Sequence, residues 1–155
     1  MKILFVCRAN IVRSFAAERM LKKVLQEEDR SDIDVSSAAI CDMNGASADP
    51  TAAQILREMG FEADDHFSRL LTGEIAAESD MILVMEQNQK DYIVENYPET
   101  NGKIFLLKSF SEETSRPHGP GSTEVRDPYN QSSYQYRLRF SEIYMAVRAL
   151  VGKCI

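Results

Sequence analysis

The 155-residue chain has no tryptophan, two histidines, three cysteines and no long apolar run. Each shortage excludes something. Cys7, Cys41 and Cys154 are odd in number, widely spaced and free of any Cys-x-x-Cys pair. That argues against a disulfide framework and fits a reducing compartment. With His66 and His118 the only histidines, no ligand set for a structural zinc is visible, and no metal is expected. The N-terminal apolar run Ile3-Leu4-Phe5-Val6 is too short for a signal peptide or a membrane helix, and no later stretch spans a bilayer. The expectation is a cytoplasmic protein without a membrane partner. A net charge of −6 argues against a general nucleic-acid role but leaves room for a local positive pocket. The length suits one domain, residues 1–155, around a single core.

The most informative residues are Cys7-Arg8-Ala9-Asn10-Ile11-Val12-Arg13-Ser14. They follow the first apolar run and lead into a helical pattern. A cysteine thus sits where a buried strand ends, and an arginine sits at the mouth of a helix. The five residues between them can wrap once around a phosphate-sized anion, with backbone N–H groups turned inward. The helix N-terminus and the guanidinium both favour a thiolate at Cys7. Cys-x5-Arg alone arises by chance; its position between strand and helix is what gives it weight. Ser14 fits a helix N-cap, and its hydroxyl can equally face the Cys7 sulfur.

Four short apolar runs read as strands: Ile3 to Val6, Ile33 to Val35, Met81 to Val84 and Ile104 to Leu107. Three of them are nearly continuous Val/Ile/Leu/Phe/Met, the pattern of parallel strands covered on both faces. Between them lie helical patterns from Ser14 to Glu28, Pro50 to Met59, Glu74 to Glu78 and Gln87 to Asn96. A long C-terminal helix carries Tyr136, Phe140, Ile143, Val147 and Leu150. Asp49 before Pro50 and Gly60 after Met59 punctuate the second of these. Alternating strands and helices predict a three-layer α/β sandwich. Ser109 to Ser122, rich in Ser, Pro, Gly and Glu, breaks the rhythm as a long loop and leads to Arg126-Asp127-Pro128-Tyr129.

Asp-Pro-Tyr in a loop is ordinarily a turn. Beside a cysteine cradle it acquires a purpose, because expelling an alkoxide or phenolate from phosphorus needs a proton donor on the leaving-group side. Asp127 suits that task. His66 alone reads as an ordinary surface or core histidine.

At this point the chain resembles the low-molecular-weight protein tyrosine phosphatases, which carry Cys-x-Gly-Asn-x-x-Arg-Ser after their first strand and Asp-Pro-Tyr near their end. The resemblance extends to Ser37-Ala38 after the second strand and to His66 before Ser68-Arg69. It implies a flavodoxin-like, four-stranded parallel sheet in the order 2-1-3-4, with the loop at the carboxyl ends of the strands. It implies hydrolysis of phosphotyrosine in a protein substrate, without cofactor or metal. Cys7, Arg13 and Asp127 would be catalytic. Residues Arg8, Ala9, Asn10, Ile11, Val12 and Ser14 would form the phosphate loop. It further implies that Asn10 holds that loop through hydrogen bonds to Ser14, Ser37 and His66, and that Met43 and Tyr129 wall the cleft.

The chain departs from the pattern in places. Ala9 stands for the loop glycine, which is strained only if that position needs positive φ. Val12 stands for a second cysteine able to protect the nucleophile as a disulfide, so that safeguard is absent. Arg8 replaces a commonly apolar residue, either favouring acidic substrates or serving as a solvated charge. Within the same fold, a thiol-linked arsenate reductase would need a relay of cysteines that Cys41 and Cys154 do not resemble. Phosphoarginine hydrolysis goes with threonine where this chain has Ile11. A non-catalytic phosphate-binding module would not need all of Cys7, Arg13 and Asp127, and an FMN carrier would need neither thiol nor arginine.

Overall fold

The computed structural model describes residues 1–111 and 123–155. Four parallel strands, β1 (Lys2–Cys7), β2 (Asp34–Ala39), β3 (Met81–Val84) and β4 (Ile104–Leu106), form one sheet in the order β2-β1-β3-β4. Among the described residues five α-helices connect and cover them: α1 (Arg13–Glu27), α2 (Pro50–Glu58), α3 (Gly73–Glu78), α4 (Gln87–Asn96) and α5 (Ser133–Cys154). The expected sandwich and strand order are both present.

Side-chain alternation along β1 divides the interior. Ile3 and Phe5 point into a cluster shared with Phe15, Met20 and Leu21 of α1 and Tyr136, Phe140 and Val147 of α5. Leu4 and Val6 point to the other face, against Ala76 of α3, Ile93 of α4, and Ile82 and Val84 of the neighbouring strand. A strand apolar on both sides has to lie between two helical layers, as the unbroken Ile3–Val6 run indicates. Among the described residues no helix is long and apolar enough to cross a membrane.

Several boundaries differ from the sequence reading. Ile33 lies before β2, and the strand runs on through Ser36, Ser37, Ala38 and Ala39, where backbone pairing with β1 outweighs weak strand propensity. Leu107 begins a 3₁₀ turn over Leu107–Phe110 instead of ending β4. That turn also takes in the first residues of the expected Ser109–Ser122 loop, whose remainder from 112 onward lies outside the described residues. Ser14 is not the cap of α1; Val12 occupies that position without a side-chain bond, and the Ser14 hydroxyl is engaged elsewhere. Asp49 does cap α2, accepting the Ala52 N–H at 3.1 Å. Gly60, at φ +89°, lets the chain turn out of α2 in a conformation a side chain would strain.

Asp49 has a second partner. Tyr136 of α5, almost fully buried, donates its hydroxyl to Asp49 Oδ2 at 2.7 Å. Burial, reinforced by the neighbouring carboxylate, raises the phenol well above the usual tyrosine range. The bond ties α5 to the start of α2. Tyr136→Phe leaves the ring in place and removes the donor, at a cost of about 2 kcal/mol for a hydrogen bond to a charged group. The melting temperature should fall by roughly 4–8 °C in a chain of this size; an unchanged melting curve would show that the bond adds nothing to stability.

Candidate active site

The direction of chain connections reverses between β1 and β3. A crevice opens there beyond the strands' carboxyl ends. Cys7 closes β1 at this crevice, 3% exposed. Its sulfur lies 3.0 Å from Ser14 Oγ and accepts the Asn10 N–H at 3.3 Å. The direction of the serine bond follows from its neighbour. Asn10 Nδ2 donates to Ser14 Oγ at 2.9 Å, and an amide nitrogen can only donate. The serine proton is therefore free to point at the sulfur, where it stabilises negative charge.

Asn10 organises everything behind the loop. It is fully buried and left-handed, at φ +57°, a conformation asparagine tolerates better than most residues. Ala9 is not among the positive-φ residues, so its methyl group costs the loop no backbone strain. The second hydrogen of Asn10 Nδ2 goes to Ser37 Oγ at 2.8 Å, and Ser37 in turn donates to the carboxylate of buried Glu18. Asn10 Oδ1 accepts the Arg69 N–H at 3.2 Å. The Asn10 carbonyl is met by His66 Nε2 at 2.6 Å; since a carbonyl only accepts, that nitrogen carries the proton. The His66 ring stacks on Phe15 with centroids 4.2 Å apart. Burial lowers its pKa, against the opposing pull of the Asn10 carbonyl and the Glu18 carboxylate.

The other loop carbonyls are also held from outside. Ile40 N–H binds the Cys7 carbonyl, Cys41 N–H the Arg8 carbonyl and Asp49 N–H the Ile11 carbonyl; Ser68 Oγ binds the Ala9 carbonyl at 2.8 Å. The N–H groups of Ala9, Ile11 and Val12 have no protein acceptor among the described residues and remain available to an anion above the sulfur.

Arg13 is 2% exposed, and a cation so buried needs partners. Its Nη1 donates to the Val125 carbonyl at 2.9 Å and to Glu86 Oε1; its Nη2 lies 3.4 Å from Asp127 Oδ2. Val125 is itself fixed, its N–H bonded to the Met85 carbonyl at 2.9 Å just beyond β3. That anchor brings Asp127, whose side chain is 42% exposed, over the loop. A cleft of about 270 Å³ results, walled by Ile11, Val12, Met43 and Tyr129 and reached by Cys7, Arg13 and Asp127. All residues expected at the site converge here, with Asn10, Ser14, Ser37 and His66 behind the loop. Cys41 also lines the cleft, while Cys154 lies at the end of α5. Among the described residues no group of three or more His, Cys, Asp or Glu side chains is placed to hold a metal ion.

A Cys-x5-Arg loop on this fold defines a protein built to bind a phosphoryl group beside a thiol. Comparison with known proteins narrows the class. The profile of the low molecular weight phosphotyrosine protein phosphatase family matches residues 2–154, and the chain belongs to that family. It is 36% identical over 130 residues to the probable low molecular weight protein-tyrosine-phosphatase AmsI of Erwinia amylovora, spanning 84% of this chain and 81% of that protein. The crystal structure of the Erwinia tyrosine phosphatase AmsI superposes with TM-score 0.85 at 32% identity, over 97% of this chain and 91% of the other. The YwlE arginine phosphatase from Geobacillus stearothermophilus gives TM-score 0.83 at 31% identity, over 98% and 97%.

Glu86 and Glu18 do not stand out in the sequence, and Asp49 reads there only as the start of α2. Glu86 belongs to no motif, but its place just past β3, facing the reversal point next to β1, is a signal that topology supplies. Gln89 Nε2 donates to the same Glu86 Oε1 at 3.2 Å and orients it. Glu86→Ala should leave Arg13 anchored only through Val125 on its inner side. We expect kcat/KM on an aryl phosphate to fall about 10–100-fold, the usual cost of losing an outer partner that orients a working group. A loss below threefold would show that Val125 suffices.

Proposed function

We propose that the chain hydrolyses phosphotyrosine in proteins, and small aryl phosphates, through a phosphocysteine intermediate. The observation that carries this reading is the Cys7 sulfur, hydrogen-bonded by Ser14 and Asn10 at the floor of a cleft that Arg13 and Asp127 also reach. Cys7 is the nucleophile: its S–P bond forms as the P–O bond to the phenol breaks. Arg13 turns its planar fork to two equatorial oxygens, and the loop N–H groups of Ala9, Ile11 and Val12 take the remaining charge. Asp127 gives its proton to the departing oxygen, then takes one from the water that breaks the S–P bond and releases phosphate. No cofactor takes part.

The cleft supports an aryl substrate. Ile11, Met43 and Tyr129 present apolar surface to a phenyl ring, which serine and threonine phosphates lack. The same walls suit a charged phosphoguanidinium poorly, so the likeness to an arginine phosphatase fold does not become the preferred reading. The functional unit is proposed to be one domain over residues 1–155. Free Cys7, Cys41 and Cys154 suit a reducing compartment, and the proposed location is the cytoplasm.

Cys7→Ser should bind phosphate or vanadate without turning over, and EDTA should leave wild-type turnover on an aryl phosphate unchanged. Near-normal kcat in the serine variant, or loss of wild-type activity in EDTA, would overturn the mechanism.

Asp127→Ala should separate the acid from the nucleophile. A tyrosine leaving group has a pKa of about 10 and departs slowly without a proton. Removing the acid should slow phosphoenzyme formation by roughly 10²–10⁴-fold for such a substrate, and much less for a strongly acidic phenol. Rapid mixing with two aryl phosphates of different leaving-group pKa tests this. Equal slowing of both burst phases would remove Asp127 from the role.

A further inference from the structure

The catalytic cleft does not end at its own rim. Arg8, Arg13 and Asp127 line both the cleft and an adjoining groove of about 380 Å³ that runs toward α4. Arg13 is buried and committed to its partners, whereas Arg8 is exposed. Its guanidinium has no hydrogen bond or ion pair among the described residues, which sets it apart from Arg13, Arg19, Arg57 and Arg69. A polypeptide whose phosphotyrosine fills the cleft and whose chain continues into the groove must pass over Arg8. Beyond it, Ile40 and Tyr92 offer apolar surface and Asn88 a polar contact.

The charges facing Arg8 decide what it can bind. Glu86 is neutralised by Arg13. Asp127 must carry a proton when it serves as the acid. In the reactive state the free charge at this ridge is therefore the positive charge of Arg8. We infer that Arg8 is a specificity-determining residue that selects phosphotyrosine segments carrying a second anionic group within two residues of the phosphotyrosine, either an acidic side chain or another phosphate. This rests on the phosphotyrosine reading and refines it.

The test uses the full chain and four matched phosphotyrosine peptides: one with neutral flanks, one with glutamate flanks, one with lysine flanks and one with a neighbouring second phosphotyrosine. Each variant is scored by ratios of kcat/KM between peptides, so that any general loss of activity cancels. Wild type should prefer the glutamate peptide over the neutral one by about two- to fivefold at low salt, the range of an exposed ion pair. The bisphosphorylated peptide should gain about tenfold, since a guanidinium can meet two phosphate oxygens at once. Both preferences should shrink at 0.5 M salt. Arg8→Gln should bring the ratios close to one, and Arg8→Glu should invert them in favour of the lysine peptide. Arg126→Gln, which changes a charge next to Asp127 but outside both grooves, should leave them intact. Equal wild-type rates on all four peptides, a preference surviving in Arg8→Gln, or its equal loss in Arg126→Gln would overturn the assignment and leave the phosphotyrosine reading standing. Turnover of a small aryl phosphate without any of the peptides would defeat that reading itself, and the role of Arg8 with it.

Discussion

One side-chain amide holds the site together. Asn10 joins the phosphate loop, α1, β2 and the segment around Arg69 through Nδ2 to Ser14 and Ser37 and through Oδ1 to the Arg69 N–H. Every polar atom of the amide is used, which a fully buried asparagine requires, because an unmet donor or acceptor there costs about 1–3 kcal/mol. The same completeness sets direction. Since the amide nitrogen can only donate, both serine oxygens must accept, and both serine protons must go elsewhere. One goes to the Cys7 sulfur and the other to Glu18. Lys22, one turn along α1, meets the other oxygen of Glu18. A half-buried ion pair thus anchors a chain of hydrogen bonds that ends on the Cys7 sulfur.

Arg13 imposes the complementary constraint. A guanidinium at 2% exposure is tolerable only when surrounded by acceptors, and here it has Glu86, the Val125 carbonyl and Asp127. Glu86 and Val125 grip the same nitrogen, Nη1. That leaves Nη2 facing only the longer, half-exposed contact to Asp127. The firm contacts therefore orient the fork, and the loose one lies where a phosphoryl oxygen would replace it. In the proposed mechanism the incoming phosphoryl group would thereby free Asp127 for proton transfer.

Much of this was legible in the chain, and what was missed shares one physical cause. The buried strand, the Cys7–Arg13 spacing, Asp49-Pro50 as a helix start and Gly60 as its stop are local signals, each set by residues within a few positions. β2 was misplaced because Ser36 and Ser37 have little strand propensity of their own and are ordered by pairing with β1. Glu86 went unnoticed because its partner is 73 residues away in sequence. Asp49 reads as a cap, and its N–H on the Ile11 carbonyl and its carboxylate on Tyr136 are long-range contacts that periodicity cannot reveal. Ser14 suits both a helix cap and a contact with the Cys7 sulfur, and the structure has the second: its hydroxyl serves Cys7 and Asn10 within the loop.

The departures at Ala9 and Val12 follow the same division. The left-handed turn falls on Asn10, so the family glycine is dispensable in this loop and alanine occupies its place without strain. Val12 is buried at the cap position of α1, where its side chain joins the main core cluster. It fills that position with packed apolar surface. Arg8 is different, because its side chain takes no part in holding the structure. Net charge offers no guide to that position. With a Debye length of about 8 Å at physiological salt, exposed acidic residues farther than that from the cleft are largely screened from it. The potential felt by an incoming anion is set locally, by the loop N–H groups, by Arg13 and by whichever residue stands at position 8.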